Sequence, residues 1–509
     1  MTMGSRLLLL LFSFSFTPSS LAFTVPRRSI ALKPSSSSLT PASFASYSRR
    51  KPPTLSMSND TNEDSKDDSK WLLGLCFPLW LAYVSNQWSR SSIYYLVDFS
   101  DQGNAFKAMN IDLDFSQAQY GILASVAFTS LFAVASLGAG IASDRYNRKV
   151  LTVAAIATWG LATLGTSFST SYEQVVGWRV LMGLACAFST PTAFTLLAER
   201  VPAGKLASAS SFYSTGVALG GALASLSILL DSQIGWRNTA LAIALFAFVS
   251  AAINALVLDD DPKDHTKSAD PELSTESEES ASALEEVKQV LSSNRVQLLF
   301  LASFFRFCSG LLIGVWSAPY FREAFPDNAG DYALAQASIT ATCGIVSGLI
   351  GGAAADRLKR GSSDSDSNDD ESDNVGRQLW VPVVGNLLAT PAWYMAITSD
   401  NSFQMAMVWL AIEYLVAECW FGPTISVLQS SVGPKIGGTA QGLFTVTGAI
   451  GNLAPAALGF VYDQHQQNAP ASDELTNLLA LSVCGCYILS AFCFGASALS
   501  TPPNKLKIE

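Results

Sequence analysis

Residues 140–149 read GIASDRYNRK and close a long apolar run with an aspartate and a group of positive charges. Residues 352–360, GAAADRLKR, repeat this pattern at the end of another apolar run in the second half of the chain. Each stretch therefore predicts a charged turn at the end of a membrane helix. A repeated charged turn in a mostly apolar chain is typical of a transporter built from two related halves, and not of a soluble enzyme.

The composition of the chain predicts an all-α membrane protein. Hydrophobic residues make up 49% and charged residues 14%, whereas soluble domains contain about 25% charged residues. Twelve apolar stretches are long enough to cross a hydrocarbon core of about 30 Å. We number them spans 1 to 12: 71–97, 118–143, 150–169, 174–198, 207–230, 237–258, 296–319, 335–355, 379–398, 402–427, 437–461 and 475–499. We expect two pseudo-symmetric six-helix bundles, at residues 71–258 and 296–499.

Positive charges predict the orientation of the spans. Beyond the first 58 residues and outside the spans, eighteen Lys and Arg residues lie on the face shared by the termini and the even-numbered loops, and three lie on the other face. This bias predicts that the richer face points to the cytosol, or to the stroma in a plastid envelope. We call the two ends of the bundles the basic face and the opposite face.

The first 58 residues differ from the rest, because they contain seven basic residues and no acidic one. Residues 1–22 have the apolar run and small-residue cleavage site of a signal peptide, and residues 23–58 are rich in serine and basic residues, as transit peptides are. With Phe23 opening the second part, the pair resembles the bipartite presequence of algae with complex plastids. We therefore expect a multi-pass protein of the plastid envelope. The alternative is an uncleaved tail behind an ordinary signal peptide, with another endomembrane or the plasma membrane as destination.

Two acidic segments are predicted on the basic face. Residues 259–294 join the two bundles, and residues 361–376 interrupt the second one. Their composition is that of disordered chain, which favours a role in solvating the surface. A regulatory or phosphorylated role is the alternative. Within the first segment, residues 283–291 have the pattern of a short interfacial helix.

The internal repeat extends beyond the charged turns. Pro191 and Pro423 are separated by the same number of residues as Thr215 and Thr447. Span 4 therefore corresponds to span 10, and span 5 to span 11. Two halves related in this way are expected to hold a ligand between them, near the middle of the membrane.

Three arginines lie inside predicted spans: Arg90, Arg179 and Arg306. Because an arginine at the bilayer centre costs at least ~2.5–3.5 kcal/mol, each should face a wet or charge-paired interior. Arg90 in span 1 and Arg306 in span 7 occupy similar places in the repeat, and two converging guanidinium groups suit a phosphate or a carboxylate. A purely structural pairing is the alternative for Arg90. For Arg179, near the start of span 4, a structural or coupling role weighs equally with substrate contact.

Polar residues also form a stripe along span 1. Tyr83, Asn86, Gln87, Arg90 and Tyr94 recur at helical spacing on one side. Such a stripe in an otherwise apolar helix predicts the wall of a cavity. The predicted substrate-binding residues are Arg90, Arg306, Gln87, Asn86, Tyr94 and Glu418.

These features resemble the major facilitator superfamily. The turn at 140–149 matches the family's loop between spans 2 and 3. The stretch Arg179-Val-Leu-Met-Gly183, Glu199 at the end of span 4, and Gly235-Trp236-Arg237 before span 6 also fit. Within the superfamily, the DRYNRK sequence of the turn is similar to that of Spinster-type transporters of lysophospholipids and sphingolipids.

The chain departs from the Spinster pattern at two positions. Ser89 stands where that family has an aspartate in span 1, and Cys186 stands where span 4 has an acidic residue. In the internal repeat, Cys186 corresponds to Glu418 of span 10, where the family also has a glutamate. One of two pseudo-symmetric carboxylates is therefore expected to remain.

The resemblance implies that Glu418 faces the cavity and is a candidate proton carrier, with Arg179 as a second candidate for coupling. An ion pair from Glu418 to Arg306 or Arg90 is the alternative. Glu413 lies five residues away, or roughly 140° around an α-helix, so we expect it to face elsewhere.

The resemblance also implies a gating role for the charged turns. Asp144 would lie against the positive end of span 11. Arg145 or Arg148 would reach Glu199 and hold one face shut, and Asp356-Arg357 would repeat this contact more weakly in the second half. The alternative is that these charges only orient the chain in the membrane.

The sequence lacks the motifs of other activities. Its two histidines lie in predicted loops, its eight cysteines lie in apolar spans without metal or redox spacing, and it has no phosphate-binding Gly-Lys-Ser/Thr loop. We therefore expect no enzyme activity, no cofactor, no metal site and no nucleic-acid partner.

The leading interpretation is a secondary active or facilitative transporter that works by alternating access as a monomer. Its expected substrate is an anionic or zwitterionic solute, with lysophospholipid or sphingolipid among the candidates, and proton coupling is left open. One alternative is a plastid exchanger of anions or organic phosphates. Another is a receptor or scaffold that has this fold and does not transport.

Overall fold

The computed structural model describes residues 72–100, 106–201, 206–259, 285–360, 375–399, 402–432, 436–466 and 472–500. The predicted signal peptide and transit segment, most of the linker 259–294 and most of the insertion 361–376 lie outside these residues. The described chain is helical and contains no strand, so the prediction of an all-α fold is confirmed.

Long helices follow the predicted spans in chain order, and short turns of 3-10 or π helix adjoin some of them. The α-helices of the spans are Phe77–Ser91, Gln117–Gly121, Ala127–Arg145, Arg148–Ser167, Tyr172–Cys186, Ser189–Arg200, Leu206–Val257, Asn294–Ala324, Ala329–Arg360, Trp380–Ile397, Phe403–Ala417, Phe421–Val432, Gly437–Gly451, Ala454–Gln466 and Ser472–Leu499. The shorter turns are Leu72–Cys76, Ser92–Tyr94, Ile122–Val126, Pro326–Asn328 and Glu418–Trp420, and a four-residue α-helix, Met109–Asp112, precedes span 2. A further helix, 285–291, lies in the segment where an interfacial helix was predicted.

Nine segments of the described chain are long and apolar enough to cross a membrane. One of them lies in Leu206–Val257, whose 52 residues would extend about 78 Å as one straight α-helix, far more than a hydrocarbon core of about 30 Å. Gly235 interrupts this element with a φ of 77°, which glycine adopts without steric cost. The element is therefore two spans, 5 and 6, joined at Gly235, and the whole pattern fits twelve spans.

Spans 4 and 10 break at corresponding points. The first helix of span 4 ends at Cys186, and the first helix of span 10 ends at Ala417, where a 3-10 turn, Glu418–Trp420, begins. Backbone that departs from the α-helix at membrane depth is tolerated where it is buried in protein or lines a cavity. The breaks therefore mark the regions of the two bundles where a site can form.

The two bundles are in contact at the opposite face. The hydroxyl of Tyr120, at the start of span 2, donates a 2.7 Å hydrogen bond to the carbonyl of Val315 in span 7. The Tyr120 ring lies 5.2 Å from the ring of Trp316. Spans 2 and 11 approach closely at Gly121, where a Cβ would lie 2.9 Å from the Cα of Ala456. The interface is therefore closed where odd spans end and even spans begin.

Span 4 also packs closely against span 2, and this contact depends on Gly183. A Cβ at Gly183 would overlap the carbonyl oxygen of Phe128, whereas a Cβ at Gly177 on the same helix would have nothing within 4 Å. We predict that Gly183→Ala destabilises the folded protein by about 1–3 kcal/mol, the usual cost of overpacking. Gly177→Ala is the matched control and should stay near the wild type. Thermal unfolding of the purified protein measures the difference, and equal stability of the two variants would contradict the close packing.

Candidate functional site

Two arginines of the N-terminal bundle lie against one aromatic ring. The guanidinium carbon of Arg90 is 4.6 Å from the centre of the Phe128 ring, and that of Arg179 is 5.2 Å from the same centre. Arg179 is 3% exposed and also lies 5.9 Å from the ring centre of Tyr94. Cation–π contacts stabilise such a placement in part. Among the described residues, neither arginine has a carboxylate partner, so two positive charges meet here without compensation.

Arg179 and two polar side chains of span 1, Asn86 and Ser89, have buried donors that the described residues do not use. Nε and Nη2 of Arg179, Nδ2 of Asn86 and Oγ of Ser89 are buried without a hydrogen-bond partner in the described part of the chain. Buried polar groups are normally satisfied, so a cluster of free donors suggests that a ligand or water supplies the acceptors. Gln87 is half-buried on the same helix. The hydroxyl of Tyr94 donates a 3.4 Å hydrogen bond to a backbone carbonyl of span 2.

The corresponding arginine of the C-terminal bundle is paired. Nη2 of Arg306 donates to Oε1 of Glu418 at 2.9 Å and to the carbonyl of Ala417 at 3.0 Å. Its guanidinium carbon lies 5.4 Å from the ring centre of Trp420 and 5.3 Å from that of Tyr487. The side chain of Glu418 is 42% exposed, and that of Arg306 is 2% exposed. Arg306 and Arg90 therefore lie against different aromatic side chains, and only Arg306 has an acidic partner.

Glu413 lies beside this cluster, and the sequence predicted that it would not face the same cavity as Glu418. It is 2% exposed, and it accepts a hydrogen bond from the hydroxyl of Tyr487, whose ring lies against Arg306. The expected separation of Glu413 from Glu418 assumed a continuous α-helix. The chain changes to a 3-10 turn at Glu418, and Glu413 reaches the cluster of Arg306 through Tyr487 of span 12. Tyr487 had no distinguishing signal in the sequence, because it is a single tyrosine in an apolar span.

The charged turn on the basic face contributes an ion pair. Arg148 is buried and pairs with Glu199 at the end of span 4. Its Nε also donates to the carbonyl of Ser143 at 2.7 Å. Asp356 and Arg357, the predicted gating residues of the second turn, correspond to Asp144 and Arg145. Both are exposed, and the structure shows no ion pair for them within its described part. The side chains of the remaining two predicted gating residues, Asp144 and Arg145, lie outside the described residues.

A buried ion pair joins the bundles at the opposite face, and the sequence analysis did not identify it. Nη2 of Arg322, near the end of span 7, lies 2.8 Å from Oδ2 of Asp98, which follows span 1, and the two side chains are 5% and 6% exposed. Arg322 also donates to the carbonyls of Tyr95 and Val97 at 3.1 and 3.2 Å. From the sequence, Arg322 was predicted only to be one of the three positive charges on the opposite face. The available signal was an arginine that follows an apolar run directly.

Residues 79–455 match the sequence pattern of the Major Facilitator Superfamily. The chain is 22% identical over 386 residues to a protein of Cupriavidus necator named "Probable sulfoacetate transporter", a match that covers 73% of this chain and 86% of the relative. It is also 25% identical over 256 residues to a protein of Oryza sativa subsp. japonica named "Probable anion transporter 2, chloroplastic". This match covers 47% of this chain and 48% of the relative.

Among solved structures, a bacterial homolog of the human lysosomal transporter Spinster, in an inward-facing and unoccupied conformation, is similar to this chain with a TM-score of 0.63 and 18% identity. The likeness covers 83% of this chain and 94% of that one. At this identity it concerns the fold alone.

We predict that Arg322→Gln and Asp98→Asn each weaken closure of the opposite face, because removing one partner of a buried ion pair costs about 3–5 kcal/mol. The reporter is a cysteine at Leu96, a buried residue close to the pair, in a chain whose own cysteines are replaced. An impermeant thiol reagent added at the opposite face should label it faster in each single variant. Labelling should slow again when the charges are exchanged in Asp98→Arg with Arg322→Asp. Unchanged labelling in the single variants would show that the pair does not hold this face shut.

Proposed function

Because this chain belongs to the Major Facilitator Superfamily, we propose that it transports a small organic anion, such as a carboxylate or a sulfonate, across a membrane. It is a multi-pass membrane transporter and not an enzyme. The proposal adds the substrate class, the residues that bind it and the way in which transport is driven.

The observation that carries the proposal is the uncompensated pair of arginines in the N-terminal bundle. Arg90 and Arg179 share the ring of Phe128, and the described residues offer them no carboxylate. A buried cation without a partner is costly in an apolar surrounding. An anionic substrate would supply the missing charge, and a guanidinium group binds a planar carboxylate or a tetrahedral sulfonate through several N–H donors. Asn86, Gln87 and Tyr94 would complete the wall of this site.

The named relatives agree with an anionic substrate. One is named a sulfoacetate transporter and another an anion transporter of the chloroplast. A lysophospholipid or sphingolipid substrate, suggested by the charged turn, has support from a Spinster-like fold only. The uncompensated arginines would bind a lipid phosphate as well as a free anion, so lipids belong in the panel of tested substrates.

We propose that ion pairs at the two faces alternate as gates. The pair between Asp98 and Arg322 bridges the bundles and closes the opposite face in this conformation. At the basic face, Arg148 is held by Glu199 within the N-terminal bundle, and the turn that carries Asp144 and Arg145 would dock on span 11 when that face closes. Movement of one bundle against the other then exposes the site to each face in turn.

Glu418 provides a way to couple this movement to protons. In the present conformation it neutralises Arg306. Protonation of Glu418 would release Arg306, which could then join Arg90 and Arg179 in binding the anion. A proton and an anion would therefore bind together, and each would increase the affinity for the other.

We also propose that the protein resides in the plastid envelope as a monomer. The acid-free leader of residues 1–58 and the chloroplast relative support this location. The described residues form one pair of bundles with their own closed interface, as expected for a transporter that works as a single chain.

We predict that Arg90→Lys and Arg179→Lys each reduce anion affinity by about tenfold or more, because hydrogen bonds to charged groups contribute about 1.5–3 kcal/mol and lysine lacks the guanidinium fork. Uptake into proteoliposomes is measured for a panel of carboxylates, sulfonates, organic phosphates and lysolipids, with and without a pH gradient. Arg237→Lys is the control, because the ion pair of Arg237 with Asp112 is partly exposed. Normal affinity in both variants would disprove the arginine site, and uptake of lysolipids alone would replace the substrate class.

We predict that residues 1–58 fused to a fluorescent protein deliver it to the plastid in an algal cell, and that the chain without these residues is not delivered there. Phe23→Ala should block entry if the leader is of the bipartite type. Fluorescence microscopy measures the outcome, with the same fusion lacking residues 1–22 as a control for the first targeting step. Delivery of the fusion to the plasma membrane or a vacuole would overturn the proposed location.

A further inference from the structure

The C-terminal bundle places two carboxylates around a single cation. Glu418 pairs with Arg306, and Glu413 is buried beside them with a hydrogen bond from Tyr487. We propose that Glu413 is the second carboxylate of the coupling site: it holds a proton while Glu418 is paired with Arg306, and it loses that proton when Arg306 pairs with Glu413 instead. This inference rests on the proposed proton-coupled transport.

Charge balance is the first argument. A buried carboxylate is costly unless a cation or several donors compensate for it. Arg306 directs its Nη2 to Glu418 and to a backbone carbonyl. The one hydrogen bond that the described residues give to Glu413 comes from the neutral hydroxyl of Tyr487. With one guanidinium and two carboxylates, the cluster is neutral only if one carboxyl is protonated, and Glu413 is the buried member without direct access to the cation.

Among the residues that the structure describes, Arg306 is the cation that acts on Glu413. The ionisable groups that act on it are Tyr487 from span 12, Arg306 from span 7 and Glu418 from the turn that follows. On its own helix, Tyr414 bonds through its hydroxyl to Gln336 of span 8 at 2.9 Å. Span 9 presents no charged side chain to Glu413 within the described chain. Arg306 is therefore the cation that responds to the protonation state of both carboxyl groups.

Exposure assigns different roles to the two carboxylates. Glu418 is 42% exposed and can exchange a proton with cavity water, whereas Glu413 cannot do so directly. In the coupling cycle, a proton from cavity water first arrives on the Glu418 carboxylate, which frees Arg306 for the anion. Once the anion has left, the Glu413 carboxyl gives its proton to water along the path that Arg306 has vacated, and Arg306 pairs with Glu413. Glu413 becomes the anion, Glu418 becomes the acid, and Arg306 follows the negative charge. The number of protons and the net charge of the cluster are the same before and after these two steps.

Infrared spectroscopy of the full-length protein in lipid tests the protonation state without a substrate. The difference spectrum of the wild type minus Glu413→Gln at neutral pH should contain the carbonyl band of a protonated carboxyl group. Tyr487→Phe should keep the band and shift its frequency, because a hydrogen bond to the carboxyl is lost. In Glu418→Gln, Arg306 has only Glu413 to pair with, so the band should appear only at lower pH. A difference spectrum without this band, or a band whose pH dependence is unchanged in Glu418→Gln, would overturn the proposal.

Transport measurements then separate this inference from the proposed function. Two rates are measured with the anion that the panel identifies: uptake driven by a pH gradient, and exchange of substrate at equal concentrations on both sides. In Glu413→Gln the ratio of the first rate to the second should fall. Asp463→Asn, at a half-buried carboxylate near the end of the helix Ala454–Gln466, is the matched control. It should keep the wild-type ratio of proton-driven uptake to exchange. If the wild type transports no anion, the proposed function fails whatever the infrared result. If transport by the wild type is driven by protons and Glu413→Gln keeps the wild-type ratio of proton-driven uptake to exchange, only the role proposed for Glu413 is wrong.

Discussion

Compensation of buried positive charge is the constraint on which the interior of this protein depends. An arginine in an apolar bundle must meet a carboxylate, a set of acceptors or a ligand, because the unpaired charge is too costly. Arg306 meets Glu418, and Arg322 meets Asp98. Within the described residues, Arg90 and Arg179 lie against aromatic rings and have no carboxylate partner, and Arg179 donates one hydrogen bond to the sulfur of Met182. The exception is informative, because it locates the place where a bound anion would complete the structure.

The two bundles are related by an internal repeat, and they differ in charge where they correspond most closely. Span 4 breaks at Cys186, and span 10 changes conformation at the corresponding Glu418. Cys186 stands where the repeat has Glu418, and within the described residues Arg90 and Arg179 have no carboxylate partner. The C-terminal bundle has a paired cation, Arg306, and a second acid, Glu413. In our proposal this asymmetry separates two tasks that a symmetric site would combine. One bundle binds the anion, and the other bundle exchanges the proton.

Much of the architecture could be predicted from the sequence, because it depends on local composition. Runs of apolar residues predicted membrane helices, and their backbone hydrogen bonds are satisfied within each run. The repeated turn at 140–149 and 352–360 identified two halves and the superfamily, which the match over residues 79–455 confirms. Gly235 illustrates the same rule: a glycine between two apolar runs forms the connection that the chain needs between spans 5 and 6.

The sequence by itself therefore determined the helices, the repeat, the family and the set of charged residues inside the spans. Only the tertiary structure decided how these charges are paired. Glu413 belongs to the cluster of Arg306 because Tyr487 of span 12 donates to it and also lies against Arg306. Asp98 pairs with Arg322 of the other bundle, although the two residues are far apart in sequence. Helix formation follows from neighbouring residues, whereas the pairing of charges depends on distances between separate helices. Those distances are set by packing, and a linear pattern does not contain them.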